Sequence, residues 1–96
     1  MMECEIIKYT NHALEFMAAR GISVPEVEVV INKGDRIEDY PDDKPFPSQL
    51  ILAFIDDKPL HIVLANDTVN KICFVVTAYE PTLAKFESDF RTRKKK

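Results

Sequence analysis

Two short stretches with helical spacing of apolar residues open the chain. Thr10 can cap a helix that runs through about Arg20, and Gly21 suits the position just past its end. The predicted buried face of this helix consists of Ala13, Leu14, Met17 and Ala18. The stretch therefore predicts a short amphipathic helix.

A second helix is predicted from the capping box Ser23-Val24-Pro25-Glu26, in which the serine and glutamate side chains each bond the other's backbone N–H. Its buried stripe is Val27, Val30 and Ile31. Lys33 places a cation in the last turn, and it is followed by Gly34, a residue able to take a positive φ.

From residue 36 onward the pattern predicts four strands: Arg36–Tyr40, about Gln49–Ile55, Leu60–Asn66 and Lys71–Tyr79. A proline-rich loop at 41–47 and hairpin connections at 56–59 and 67–70 separate them, so neighbouring strands should be antiparallel. We expect an α+β fold, with two N-terminal helices followed by a four-stranded, mainly antiparallel sheet.

The last predicted strand is apolar on both faces, which indicates that both are covered. The helices would cover one face, and the C-terminal segment or a partner would cover the other. Leu83, Phe86 and Phe90 have the spacing of a short C-terminal docking helix. Phe46 of the proline-rich loop either folds back onto the core or serves as a stacking residue.

Composition indicates one globular domain over residues 1–90. The 96 residues are 46% hydrophobic and 30% charged, and no apolar run approaches the roughly 18 residues of a membrane span. A cytoplasmic protein is expected, without a membrane partner. Cys4 and Cys73, which have no C-x-x-C spacing, are expected to be free thiols.

Charge is distributed unevenly along the chain. The formal net charge is −3, but five of the thirteen Lys and Arg residues lie in a basic tail at residues 91–96. Residues 1–90 therefore carry eight Lys and Arg residues against sixteen Asp and Glu residues, a formal charge of −8. Such a body should repel nucleic acid unless its cations cluster locally. The tail itself is predicted to be disordered, either solvated or in nonspecific contact with RNA.

Four residues are candidates for catalysis. His12 would lie in the first turn of helix 1, where the helix dipole favours a neutral ring, and Arg20 would lie on the same stripe eight residues later. His61 starts a strand and Tyr79 ends one, and the hairpin register decides whether they share a face. Ordinary structural roles remain open for all four. No phosphate loop or metal-spaced motif occurs, so neither a cofactor nor a metal is predicted.

The segment His12-Ala13-Leu14-Glu15-Phe16-Met17-Ala18-Ala19-Arg20-Gly21-Ile22-Ser23 resembles the H-A-x-x-R-M-x-x-R-G-I-S opening of a small prokaryotic family of unknown function. Leu60-His61-Ile62-Val63 and the segment from Val76 to Pro81 resemble its L-H-V-V and V-T-x-Y-x-P strings. The resemblance covers about residues 6–90. Phe16 stands where the pattern has an arginine.

This family is commonly grouped with RelE/ParE-like and BrnT-like toxins, so the resemblance implies such a fold, RNA cleavage and an antitoxin partner. In a metal-independent endoribonuclease, His12 or His61 would take the 2′-hydroxyl proton, Arg20 would stabilise the phosphate and Tyr79 would position the substrate. A noncatalytic interaction module or homo-oligomer of the same fold is the main alternative. A DNA-binding regulator ranks last, because helix 2 carries Glu26 and Glu28 against Lys33 alone.

Overall fold

The computed structural model describes residues 4–94 and contains two helices and a five-stranded sheet. In chain order the elements are β1 (Ile6–Tyr9), α1 (Asn11–Arg20), α2 (Val24–Lys33), β2 (Asp35–Tyr40), β3 (Ser48–Ile55), β4 (Lys58–Asp67) and β5 (Ile72–Tyr79). The sheet order is β1-β5-β4-β3-β2, in which β1 is parallel to β5 and the other pairs are antiparallel. The α+β class and the four strands β2 to β5 are confirmed.

The additional strand, β1, lies at one edge of the sheet and was not predicted. It has four residues, and its partner in β5 is far along the chain, with Ile6 opposite Ile72. A run this short carries too little alternation to be recognised locally. Cys4, just before β1, forms a disulfide with Cys73 of β5, so the expectation of free thiols is wrong. The two cysteines are 69 positions apart in the sequence, and no local pattern indicates that they meet.

Helix α1 has the predicted caps but a narrower buried face. The Thr10 hydroxyl accepts a hydrogen bond from the Ala13 N–H at 3.0 Å, and Gly21 takes a left-handed φ of 67°. Only Ala13 and Met17 are buried, whereas Leu14 is 44% exposed and Ala18 is also exposed. The helix packs mainly on β5, so a single narrow stripe of its surface is covered.

Helix α2 has the predicted capping box and buries Val27, Val30 and Ile31. Gly34 follows the helix as predicted but does not adopt a positive φ, since it has φ −75° and ψ 163°. A Cβ here would lie 2.5 Å from Ile51 Cγ2 and 2.5 Å from the Val30 carbonyl oxygen. Glycine is needed here for close packing of the chain against β3 rather than for its backbone conformation.

Both hairpin connections are confirmed. Asp56 and Asp57 have φ of 51° and 68°, as a two-residue type I′ turn requires, and they join β3 to β4. In the second turn the Asp67 carboxylate accepts hydrogen bonds from the backbone N–H groups of Val69 and Asn70 at 3.2 and 3.1 Å.

Segments of this chain pack against both faces of the sheet. The helices pack on one face, where the core includes Ile51, Ile62, Leu64, Val75 and Ala78. On the other, the ring of Phe46 stacks on Phe74 with centroids 5.6 Å apart, and Phe86 is 1% exposed. Phe46 thus folds back onto the sheet, and the C-terminal segment lies against the second face. No helix in residues 4–94 is long and apolar enough to cross a membrane.

The predicted C-terminal docking helix is wrong. Residues 85–94, here called the C-terminal hairpin, form a turn closed by hydrogen bonds from Glu87 N–H to the Thr92 carbonyl and from Lys94 N–H to the Lys85 carbonyl. The Asp89 side chain accepts from two backbone N–H groups in the turn and so competes with helix formation.

Part of the basic tail contacts β2. Arg91 forms an ion pair with Asp35 at 3.2 Å, and Arg93 forms one with Glu38 at 2.9 Å. The disorder of the tail stays a prediction for residues 95 and 96, which lie outside the described part of the chain.

Candidate functional site

His61 and Tyr79 are direct neighbours on adjacent strands. The register of β4 and β5 places them opposite each other, so both side chains lie on the same face of the sheet. His61 Nδ1 is 3.2 Å from the Tyr79 hydroxyl oxygen, and the ring centroids are 5.2 Å apart. The register question left open by the sequence is thus answered in favour of a pair.

The second ring nitrogen determines the tautomer of His61. Nε2 lies 2.7 Å from the backbone carbonyl oxygen of Phe90, which can only accept a hydrogen bond. Nε2 therefore carries the proton, and Nδ1 accepts a hydrogen bond from the Tyr79 hydroxyl. A continuous chain of donors and acceptors runs from Tyr79 through the ring to Phe90.

Burial keeps both members of the pair uncharged near neutral pH. His61 is completely buried, and desolvation lowers its pKa below the ordinary 6.5, assisted by the positive charge of Arg93 and opposed by the hydrogen bond to Phe90 and the charge of Glu38. Burial likewise raises the pKa of the Tyr79 hydroxyl above 10.0. The pair is a neutral imidazole beside a neutral phenol.

Tyr79 lines an open cleft of about 510 Å³ at the carboxyl end of β5. Three cations also line it: Arg20 from the end of α1, and Lys85 and Arg93 from the C-terminal hairpin. Glu80 is the one acidic residue among its walls, although Arg93 is also paired with Glu38. The cations of this acidic chain therefore do cluster locally, which is the arrangement that attracts an anionic ligand.

Arg20 is fixed at the cleft by two contacts. Its Nη1 donates to the Ala78 carbonyl oxygen at 3.0 Å, and its guanidinium carbon lies 4.2 Å from the centroid of the Phe16 ring. A planar guanidinium with free N–H groups is well suited to bind a phosphate or carboxylate through two parallel hydrogen bonds.

His12 is not part of this group. It lies in the first turn of α1, about 12 Å along the helix axis from Arg20 at the usual rise per residue. Its ring contacts Phe16 edge-on, with centroids 4.2 Å apart, and it does not line the cleft. The structure therefore brings Arg20 and Tyr79 to one cleft, places the buried His61 behind Tyr79, and leaves His12 apart.

Lys85, Arg93 and the Phe90 carbonyl are the parts of the site that sequence reasoning missed. Arg93 belongs to the basic segment 91–96 that the sequence predicts to be disordered, and Lys85 carries no local signal of its own. Phe90 adopts a φ of 58°, which is uncommon for a residue with a side chain, and this conformation belongs to the turn that directs its carbonyl to His61. Within residues 4–94, no group of three or more His, Cys, Asp or Glu side chains is placed to hold a metal ion.

The fold and the cleft together define a small α+β protein with a cation-lined cleft backed by a tyrosine–histidine pair. The chain belongs to the family described as "Domain of unknown function (DUF4258)", whose model matches residues 9–80. The match contains Arg20, His61 and Tyr79, whereas Lys85, Phe90 and Arg93 lie beyond it. Comparisons with curated proteins and with solved structures found no match.

Proposed function

We propose that this protein is a metal-independent endoribonuclease, a toxin or toxin-derived protein related to RelE/ParE-like toxins, whose substrate is RNA. One observation carries the proposal: Tyr79, which lines a cleft with three cations, is within hydrogen-bond distance of the buried, neutral His61. An antitoxin protein is the proposed partner on the strength of the resemblance. The cytoplasm is the proposed location on the strength of the composition, although the Cys4–Cys73 disulfide is of a kind that persists mainly in oxidising compartments.

The cations of the cleft would bind the RNA backbone. Arg20 and Arg93 carry planar guanidinium groups that match phosphate oxygens, and Lys85 adds a point charge. Because the rest of the chain is acidic, binding would depend on this one cluster and weaken steeply with salt. The acidic body would favour short contacts with one or two phosphates over extended tracking of a strand.

The Tyr79–His61 pair would supply acid–base catalysis. A ribose 2′-hydroxyl would attack the adjacent phosphorus, forming the O2′–P bond and breaking the P–O5′ bond, to give a 2′,3′-cyclic phosphate and a 5′-hydroxyl. The 2′-hydroxyl proton would pass to the Tyr79 oxygen as the tyrosine proton moves to His61 Nδ1, and the reverse transfer would protonate the leaving O5′. Proton transfer of this kind contributes roughly 100- to 10,000-fold to rate.

Charge stabilisation would fall to the nearby cations. The phosphorane that forms during attack carries extra negative charge, and Arg20 is already held at the cleft by its contacts with Ala78 and Phe16. A donor fixed before the reaction stabilises developing charge without a cost of reorganisation. His12, outside the cleft, has no role in this scheme.

A noncatalytic interaction module of the same fold is the second candidate. Three apolar side chains of the two helices are 40 to 44% exposed: Leu14, Val24 and Val29. Such residues can contribute to a protein interface. The second face of the sheet gives this alternative less support than expected, because the proline-rich loop and the C-terminal hairpin lie against it.

The test is growth and bulk RNA integrity after induced expression of the wild type and of Tyr79→Phe, Arg20→Gln and Arg93→Gln. Lys33→Gln and Arg91→Gln are matched controls, since neither residue lines the cleft. His12→Ala is made separately, because the His12 ring contacts Phe16 next to Arg20. Purified proteins, checked for folding by circular dichroism, are then incubated with RNA in the presence of EDTA. Cleavage that is lost in the three cleft variants and kept in both controls supports the proposal.

Intact RNA with folded wild-type protein, in cells and in solution, would refute the nuclease and leave the interaction module. Cleavage that persists in Tyr79→Phe at the wild-type rate would refute the proposed acid–base pair. Complete loss of cleavage in His12→Ala with normal folding, beyond the few-fold effect of a loosened Phe16, would move the site to the outer face of α1.

A further inference from the structure

Arg20 is exposed at the end of α1, yet its guanidinium is held on two sides. The Ala78 carbonyl accepts one N–H at 3.0 Å, and the Phe16 ring lies under the guanidinium carbon at 4.2 Å. A long arginine side chain at a helix end would otherwise sample many rotamers. Two contacts from different directions restrict it to the position from which it lines the cleft.

Phe16 is itself fixed. It is half-buried, lies one helical turn before Arg20 on the same stripe of α1, and contacts the His12 ring edge-on at 4.2 Å. Three side chains therefore contact one another in a row along the helix: His12, Phe16 and Arg20. The row ends with Arg20 at the cleft.

We propose that Phe16 is a positioning residue, which holds the Arg20 guanidinium at the cleft so that its free N–H groups receive a phosphate group. The inference rests on the proposed function for the identity of the ligand, and on the geometry alone for the positioning. Phe16 stands where the family pattern has an arginine, so this chain has one cation fewer on the stripe and one aromatic ring that orients the remaining cation.

The ring face is the property that matters. At a solvent-exposed site, the attraction between a cation and an aromatic ring changes an equilibrium constant by roughly two- to fivefold. Leucine keeps the apolar bulk at position 16 but removes the ring, so the carbonyl of Ala78 would be the remaining restraint on Arg20. Tyrosine keeps the ring and should keep the restraint.

The variants Phe16→Leu and Phe16→Tyr test the inference, with Leu14→Ala as the control, because Leu14 is 44% exposed on the same helix and does not line the cleft. Two measurements are made on each full-length protein: the heteronuclear NOE of the Arg20 Nε–H without ligand, and the dissociation constant for inorganic phosphate from an NMR titration. We expect Phe16→Leu to lower the NOE and weaken phosphate binding roughly two- to fivefold. Phe16→Tyr should match the wild type in both, and Leu14→Ala should change neither.

An Arg20 NOE in Phe16→Leu equal to that of the wild type would overturn the inference, whatever happens to phosphate binding. If the NOE falls but the wild type itself does not bind phosphate, the positioning role is supported and phosphate as the ligand of Arg20 is refuted. RNA cleavage by the same wild-type protein tests the proposed function independently, so the two ideas fail separately. A fall in the NOE that Tyr at position 16 does not restore would show that tight packing, rather than the ring, holds the arginine.

Discussion

The hydrogen bond between Tyr79 and His61 can be measured through stability, before any activity is known. Tyr79→Phe removes the one donor to Nδ1 of a completely buried ring. An unsatisfied buried acceptor costs about 1–3 kcal/mol, and because Tyr79 borders an open cleft, water reaching the site should keep the loss at about 1–2 kcal/mol.

A double-mutant cycle isolates this bond from packing effects. His61→Leu removes the acceptor, so a subsequent Tyr79→Phe change should cost little. We expect the two single losses to exceed the double-mutant loss by about 1 kcal/mol. The assay is urea unfolding followed by circular dichroism at pH 7.5, where His61 is neutral because burial lowers its pKa.

Tyr9→Phe provides the matched control for the cycle. The Tyr9 hydroxyl makes no hydrogen bond within residues 4–94, so its removal should add to His61→Leu within about 0.5 kcal/mol. Additivity of Tyr79→Phe and His61→Leu to the same tolerance would refute the hydrogen bond between Tyr79 and His61. Without that bond, the proton path described for the cleft has no basis.

Three further predictions follow from other parts of the fold. The pKa of His61 lies below 6.5 in the folded state, so at acidic pH the unfolded chain binds more protons at this residue than the folded chain does. The free energy of unfolding should therefore fall as the pH drops below about 6.5. His61→Leu should make this pH dependence weaker in urea unfolding. Reducing the Cys4–Cys73 disulfide should lower the free energy of unfolding by about 4 kcal/mol, as the length of the closed loop implies. Thermal melts with and without reductant test this. An intact mass that shows two free thiols in the oxidised protein would contradict the pairing. Gly34→Ala should destabilise the fold more than Gly21→Ala, because a Cβ at position 34 would clash with backbone atoms and with Ile51. At position 21 the only cost is the left-handed φ, about 1 kcal/mol of unfolding free energy. Equal losses of stability in urea unfolding would refute this ranking.

The local elements of this protein could be predicted from its sequence, because their signals lie within a few residues of each other. The Thr10 cap, the Ser23–Glu26 capping box and the two-residue turn at Asp56 and Asp57 each depend on short-range hydrogen bonding or on backbone conformation. The four longer strands alternate for long enough to be recognised. Arg20, His61 and Tyr79 could also be chosen as candidates by residue type and resemblance.

Only the tertiary structure decided how these pieces meet. Strand β1 and the disulfide depend on contacts across more than sixty residues, and the C-terminal hairpin replaced a predicted helix because the Asp89 side chain bonds its own turn. The register of β4 and β5 placed His61 opposite Tyr79, where a slip of one residue would have separated them. Residue types marked the candidates, but tertiary packing placed Arg20 and Tyr79 at one cleft with His61 behind Tyr79, because the residues that lie opposite each other on two strands are set by the pairing register and not by local sequence.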